Sequence, residues 1–207
     1  RSRGAIDLRA TSRRALRSGG EAFRTVHRLP GERLRRLVLL CDVSGSMETY
    51  ARGLVRFAHT AVAGRTQVEV FTLGTRCTRI TRELRSRDPD AALHAAAGAV
   101  EDWSGGTRLG EGLRAFNDRW GTRGMARGAT VVILSDGWDR GDPDVLAEQV
   151  RRLQRVAHKL IWVNPLKAAP GFAPVARGMA AALPYVDELV EGHSLRSLEE
   201  LAEVIRA

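Results

Sequence analysis

An apolar run, Val38-Leu39-Leu40-Cys41, ends in the loop Asp42-Val43-Ser44-Gly45-Ser46, an Asp-x-Ser-x-Ser arrangement followed at once by a helical pattern. Two short pieces far downstream carry matching chemistry: Gly105-Gly106-Thr107 and Leu134-Ser135-Asp136-Gly137. Asp42, Ser44, Ser46, Thr107 and Asp136 together offer two carboxylates and three hydroxyls, all hard oxygen donors. Such a set suits Mg²⁺, with Mn²⁺ or Ca²⁺ as alternatives, and does not suit a soft transition metal. The expected arrangement has the Ser44, Ser46 and Thr107 hydroxyls on the ion, with Asp42 and Asp136 acting directly or through water. Neutral hydroxyls donate little charge, so the ion would stay electrophilic toward a carboxylate from outside. That describes a docking site, not a catalytic cage.

Ser and Asp also cap helices and fill turns, so Asp-x-Ser-x-Ser alone is a weak signal. Its weight comes from Gly-Gly-Thr and Ser-Asp-Gly lying after or between the right elements. Other chemistry is excluded residue by residue. Gly105 and Gly110 have phosphate-loop spacing, but Glu111 stands where a lysine is needed and would repel phosphate. An aspartyl-phosphate phosphatase needs a second Asp two positions after its nucleophile; Ser44 holds that place. His27, His59, His94, His158 and His193 are scattered without metal-type pairing.

The elements that must position these residues follow from periodicity. Arg36–Asp42, Thr130–Ser135 and Leu160–Asn164 read as buried strands by their continuous aliphatic runs. Gln67–Leu73 reads as a strand, leading through Gly74-Thr75 into an antiparallel edge hairpin at Arg76–Ile80. Ser46–Ala63 has Leu54, Val55, Ala58 and Val62 on one helical face. Asp88-Pro89 and Asp142-Pro143 are matching helix starts, an acidic cap with proline at the first helical position, opening helices over 90–100 and 144–157. Arg108–Trp120, part of 170–183 and Leu195–Ile205 are further helices, and Tyr185–Val190 a last strand. Strands alternating with helices imply an α/β fold: a mostly parallel central sheet, one antiparallel edge strand, helices on both faces. If the strands ending at Asp42 and Ser135 are central neighbours, Asp42 and Asp136 emerge side by side. Ser44 and Ser46 lie on the loop between strand and helix, where Gly45 is expected to let the chain turn tightly.

The 207 residues suffice for one core plus an arm, and their net charge of +9 is unevenly placed. Residues 1–36 hold eleven of the 33 Lys+Arg but three of the 24 Asp+Glu, which leaves 22 against 21 elsewhere. The organisation expected is a basic Arg-rich arm over 1–35 and a near-neutral domain over 36–207. Residues 1–35 lack Trp and Tyr and hold Phe23 alone, so base stacking is not suggested and nucleic acid is not an expected partner. Cys41 and Cys77 read as reduced cytosolic thiols, and no apolar run approaches the roughly 20 residues a membrane span needs. A chain opening on Arg1 is expected to begin earlier in its native form.

Asp42-Val43-Ser44-Gly45-Ser46 with Thr107 and Asp136 resembles the metal-ion-dependent adhesion site of von Willebrand factor A domains. Four stretches narrow the resemblance to the CoxE-like branch: Cys41 to Met47, Asp102 to Arg108, Ser135 to Asp142, and Trp162 to Leu166. The Arg-rich segment with Ile6-Asp7-Leu8-Arg9 also looks familial. The resemblance implies a Rossmann-like fold and a non-catalytic, cytoplasmic adaptor whose metal meets an acidic side chain of a partner. It further implies a MoxR-type AAA+ ATPase as partner and a molybdenum hydroxylase such as carbon monoxide dehydrogenase as client. Trp103 and Trp138 flank the metal residues and suit an interface, where tryptophan is a favoured anchor; Asp139 is placed with them as a partner-facing or outer-shell residue. The competing readings are a metal-dependent hydrolase using Asp42 and Asp136, for which no base is apparent, and an RNA-binding A domain, which would show steep salt dependence.

Overall fold

The aliphatic run Leu37–Leu40 cannot be solvated on either side, and the protein buries it at the centre of a sheet. In the computed structural model, which describes residues 35–64, 67–100, 108–168 and 176–206 with Ile6, Leu8, Thr11, Ser12, Leu16 and Thr25, these four residues are at most 1% exposed. Each contributes roughly 1.5–3 kcal/mol of burial. The chain divides into two units, Arg1–Leu34 and Arg35–Ala207. In the first, Leu8, Thr11, Ser12 and Leu16 are helical, and the rest of the basic arm lies almost wholly outside the described residues.

The second unit is a six-stranded sheet in the order β3-β2-β1-β4-β5-β6. The strands are β1 (Leu37–Asp42), β2 (Val68–Leu73), β3 (Cys77–Arg79), β4 (Thr130–Leu134), β5 (Lys159–Asn164) and β6 (Glu188–Glu191). All neighbours are parallel except β2 and β3, which form the expected antiparallel edge hairpin. The helices are α1 (Glu48–Gly64), α2 (Pro89–Ala99), α3 (Leu109–Phe116), α4 (Pro143–Gln154), α5 (Arg177–Ala182) and α6 (Leu195–Arg206).

Side-chain alternation along the strands separates two cores. Leu37, Leu39, Cys41, Val132 and Leu134 face Leu54, Ala58, Ala92, Leu198 and Leu201 of α1, α2 and α6. Val38, Leu40, Ile133 and Trp162 face Leu109, Leu113, Leu146, Val150 and Met179 of α3, α4 and α5. Cys41 and Cys77 belong to opposite cores, so they do not pair; burial pushes both thiols up to about 12.

Both Asp-Pro helix starts form as expected. Asp88 accepts from Asp90 N and Asp142 from Asp144 N, each at 3.0 Å, with proline in the first turn. The helix expected over Arg108–Trp120 divides instead. After Phe116 the chain widens into a π-helix over Asn117–Met125, with Thr122 Oγ1 donating to Asn117 O five residues back. Phe116 and Trp120 both meet Phe71, at centroid distances of 4.9 and 5.1 Å. A Cβ on Gly121 would sit 2.9 Å from the Phe116 ring, so glycine is what the wide turn admits.

Candidate metal centre

The sheet order reverses between β1 and β4: β2 and β3 extend to one side, β5 and β6 to the other. Crevices at the carboxyl ends of strands flanking such a reversal are where open α/β sheets bind ligands. Asp42 closes β1, and Asp136 lies two residues beyond Leu134, which pairs with Cys41. The adjacency expected for the two carboxylates is present.

The β1 loop is organised mainly by its own residues. Ser44 N donates to Asp42 Oδ1 at 2.8 Å, and the Ser44 and Ser46 hydroxyl oxygens lie 3.1 Å apart. Ser44 and Asp42 are buried, whereas Ser46 is exposed, so the hydroxyl pair leads outward from the sheet. Gly45 begins a short 3₁₀ turn, Gly45–Met47, and is not among the glycines with positive φ. The expectation that glycine's freedom is needed there is thereby corrected: a 3₁₀ turn uses backbone angles open to any L residue. The glycine that the edge does require is Gly137, at φ +81°, where a Cβ would come within 2.6 Å of Met179 Cβ on α5.

The β4 loop is held from many directions. Ser135 Oγ donates to Asp42 Oδ2 at 2.6 Å and accepts from Gly137 N at 3.0 Å, tying the two strand ends together. Trp162 Nε1 donates to Ser135 O at 2.9 Å, and Asn164 Nδ2 to Asp136 O at 3.0 Å. Asp136 Oδ1 accepts from Trp138 N at 2.9 Å. Ser135 and Asn164 are thus supporting residues to which sequence reasoning gave no role. Their signal was their place, polar residues at or just beyond the ends of otherwise apolar buried strands.

Electrostatics decide what this arrangement accepts. Burial pushes the Asp42 carboxyl up to about 6; the hydrogen bonds from Ser135 and Ser44 pull it back, and the neighbouring Asp136 charge adds a smaller upward push. Among the described residues neither Asp42 nor Asp136 joins an ion pair. Two neighbouring carboxylates, buried and without a basic partner there, call for a cation. Among the described residues no three His, Cys, Asp or Glu side chains gather as a metal cluster. The donors here are two carboxylates with adjacent serine hydroxyls, a hard-oxygen set that fits Mg²⁺ or a similar ion. Asp42, Ser44, Ser46 and Asp136 would hold it.

Of the sequence-derived site, Asp42, Ser44, Ser46 and Asp136 come to one sheet edge. Thr107 and Trp103 lie outside the described residues. Trp138 is 70% exposed beside Asp136. Asp139 is half-buried, and its carboxylate accepts from Leu109 N at 2.9 Å, Gly110 N at 3.2 Å and Gly141 N at 2.9 Å. The amides that a phosphate would take at the start of α3 are therefore occupied by a carboxylate, which agrees with rejecting the phosphate-loop spacing.

A six-stranded, mostly parallel sheet with Asp-x-Ser-x-Ser at its point of reversal defines a von Willebrand A domain. Solved structures agree on the fold. The von Willebrand factor type A protein from Catenulispora acidiphila superimposes with TM-score 0.54 at 17% identity, over 83% of this chain and 42% of its own. Proximal thread matrix protein 1 from the mussel byssus gives 0.53 at 15% identity, over 83% and 47%. A second structure of that mussel protein, with a zinc-occupied MIDAS motif, gives 0.54 at 16% identity, over 83% and 46%. The chain thus spans less than half the length of each. No curated protein matches the sequence. The chain belongs to the family of VWA domain containing CoxE-like proteins, which matches residues 1–198.

Proposed function

We propose that this A domain is a non-catalytic, metal-dependent docking module acting in the cytoplasm. The observation that carries the reading is the buried Asp42 carboxylate beside Asp136, with Ser44 and Ser46 hydroxyls 3.1 Å apart and no basic partner for either acid among the described residues. Mg²⁺ bound there supplies an electrophilic position for an outside carboxylate. Asp42 and Asp136 hold the charge, Ser44, Ser46 and Thr107 provide neutral oxygens, and Ser135 fixes the Asp42 carboxylate. Exposed Trp138 gives the partner an apolar anchor next to its acidic side chain, and Trp103 is assigned the same role from its place in the sequence.

Membership of the CoxE-like family supports a role in metalloenzyme maturation. In this reading a MoxR-type AAA+ ATPase is the partner and a molybdenum hydroxylase such as carbon monoxide dehydrogenase the client. Among the described residues no helix is long and apolar enough to cross a membrane. The test is capture of the purified ATPase by the immobilised chain in Mg²⁺ and in chelator. Retention in Mg²⁺, lost in chelator and in Asp42→Ala, supports the reading; equal retention in all three overturns it.

A further inference from the structure

Asp139 does something its helix-capping neighbours do not. Asp88 and Asp142 each cap the helix that follows them, by a bond two residues long. Asp139 caps α3, thirty residues earlier in the chain: its two oxygens take the first two amides of that helix, Leu109 N and Gly110 N. Those amides are among the donors that a helix cannot satisfy internally, and a carboxylate is also favoured there by the helix dipole. Oδ1 also accepts from Gly141 N, closing the β4 loop on itself. The loop has little freedom to slide, since a Cβ on Gly178 of α5 would lie 3.1 Å from Asp139 Cβ and 3.2 Å from Gly137 O. One carboxylate therefore joins the segment three residues after Asp136 to the helix that begins two residues after Thr107.

We propose that Asp139 is a positioning residue for the metal centre, fixing the loop that carries Asp136 against the start of α3. This inference rests on the metal reading above. It moves Asp139 away from the partner surface: with both oxygens committed to backbone amides, the side chain serves the partner only by keeping the ligand loops in register. Supporting residues of this kind commonly change metal affinity 10- to 100-fold when removed.

Calorimetric titration of Mn²⁺ into the full chain tests it, using wild type, Asp139→Asn, Asp139→Ala and, as a local cap with no bond to α3, Asp142→Ala. Hydrogen exchange at Leu109 and Gly110 is followed in the same proteins. The expected result is an affinity about 10-fold or more weaker in Asp139→Ala, with Asp139→Asn intermediate because it keeps one accepting oxygen. Exchange at the two amides should quicken, and Asp142→Ala, whose carboxylate caps only its own helix, should keep wild-type affinity. Should Asp139→Ala not fold, Asp139→Asn carries the comparison in its place. Unchanged affinity in Asp139→Ala, or an equal loss in Asp142→Ala, overturns the inference while leaving the metal reading intact. Wild type that binds no Mn²⁺ overturns both, and the two failures are told apart by that first titration.

Discussion

The two acidic loops at the carboxyl edge leave neighbouring parallel strands, yet they are built on opposite plans. The β1 loop turns directly into a helix, and Asp42, Ser44 and Ser46 interact mainly with one another. The β4 loop runs from Ser135 to the Asp142 cap and is fastened by Trp162, Asn164, Asp139 and the close approach of α5. The first is a local ligand motif. The second is a tertiary construction that presents a carboxylate and an exposed tryptophan together. Damage to the first should come only from changes to its own residues, whereas the second should be sensitive to changes well away from it.

The largest effect should come from the charges themselves. Asp136→Ala is expected to abolish Mg²⁺ and partner binding, and Asp42→Asn to do the same while raising the stability of the metal-free fold. Removing a buried charge should stabilise the domain in chelator by about 1–3 kcal/mol, read as a higher Tm. A lower Tm for Asp42→Asn in chelator would contradict the description of Asp42 as a buried charge awaiting a cation.

Glycine substitutions then separate the loops. Gly137→Ala meets both an unfavourable φ and Met179, and should destabilise the domain by about 1–3 kcal/mol. Gly45→Ala should leave denaturant stability within about 0.5 kcal/mol. Equal losses at the two positions would erase the distinction between them.

Trp138→Ala sharpens the comparison from the other side. Its side chain is 70% exposed, so Tm and Mg²⁺ affinity should hold while affinity for the ATPase partner falls about 10-fold or more. Unchanged partner affinity would remove Trp138 from the interface. The smallest effect expected is at the local caps: Asp142→Ala should cost about 1 kcal/mol, seen in denaturant unfolding, with metal binding unaffected.

What was legible in the sequence follows the same division. Continuous aliphatic runs identified β1, β4 and β5 because strands buried on both faces leave no polar alternation. The Asp-Pro starts were legible because a cap and its helix adjoin in sequence. Asp42, Ser44 and Ser46 could be read as one unit for that reason too. Ser135, Asn164 and Asp139 could not, because their partners lie 27 to 93 residues away and only the folded sheet edge brings them together. The π-helix after Phe116 was hidden for a related reason: its wide turn answers to packing against Phe71 on another strand, which helical periodicity does not encode.

The central claim, that these loops form a cation-dependent site, is tested most directly by calorimetric titration of Mg²⁺ into the purified chain beside Asp136→Ala. Saturable binding at one site in the wild type, absent in the variant, is the predicted result. Identical titrations of both proteins, bound or unbound, would contradict it.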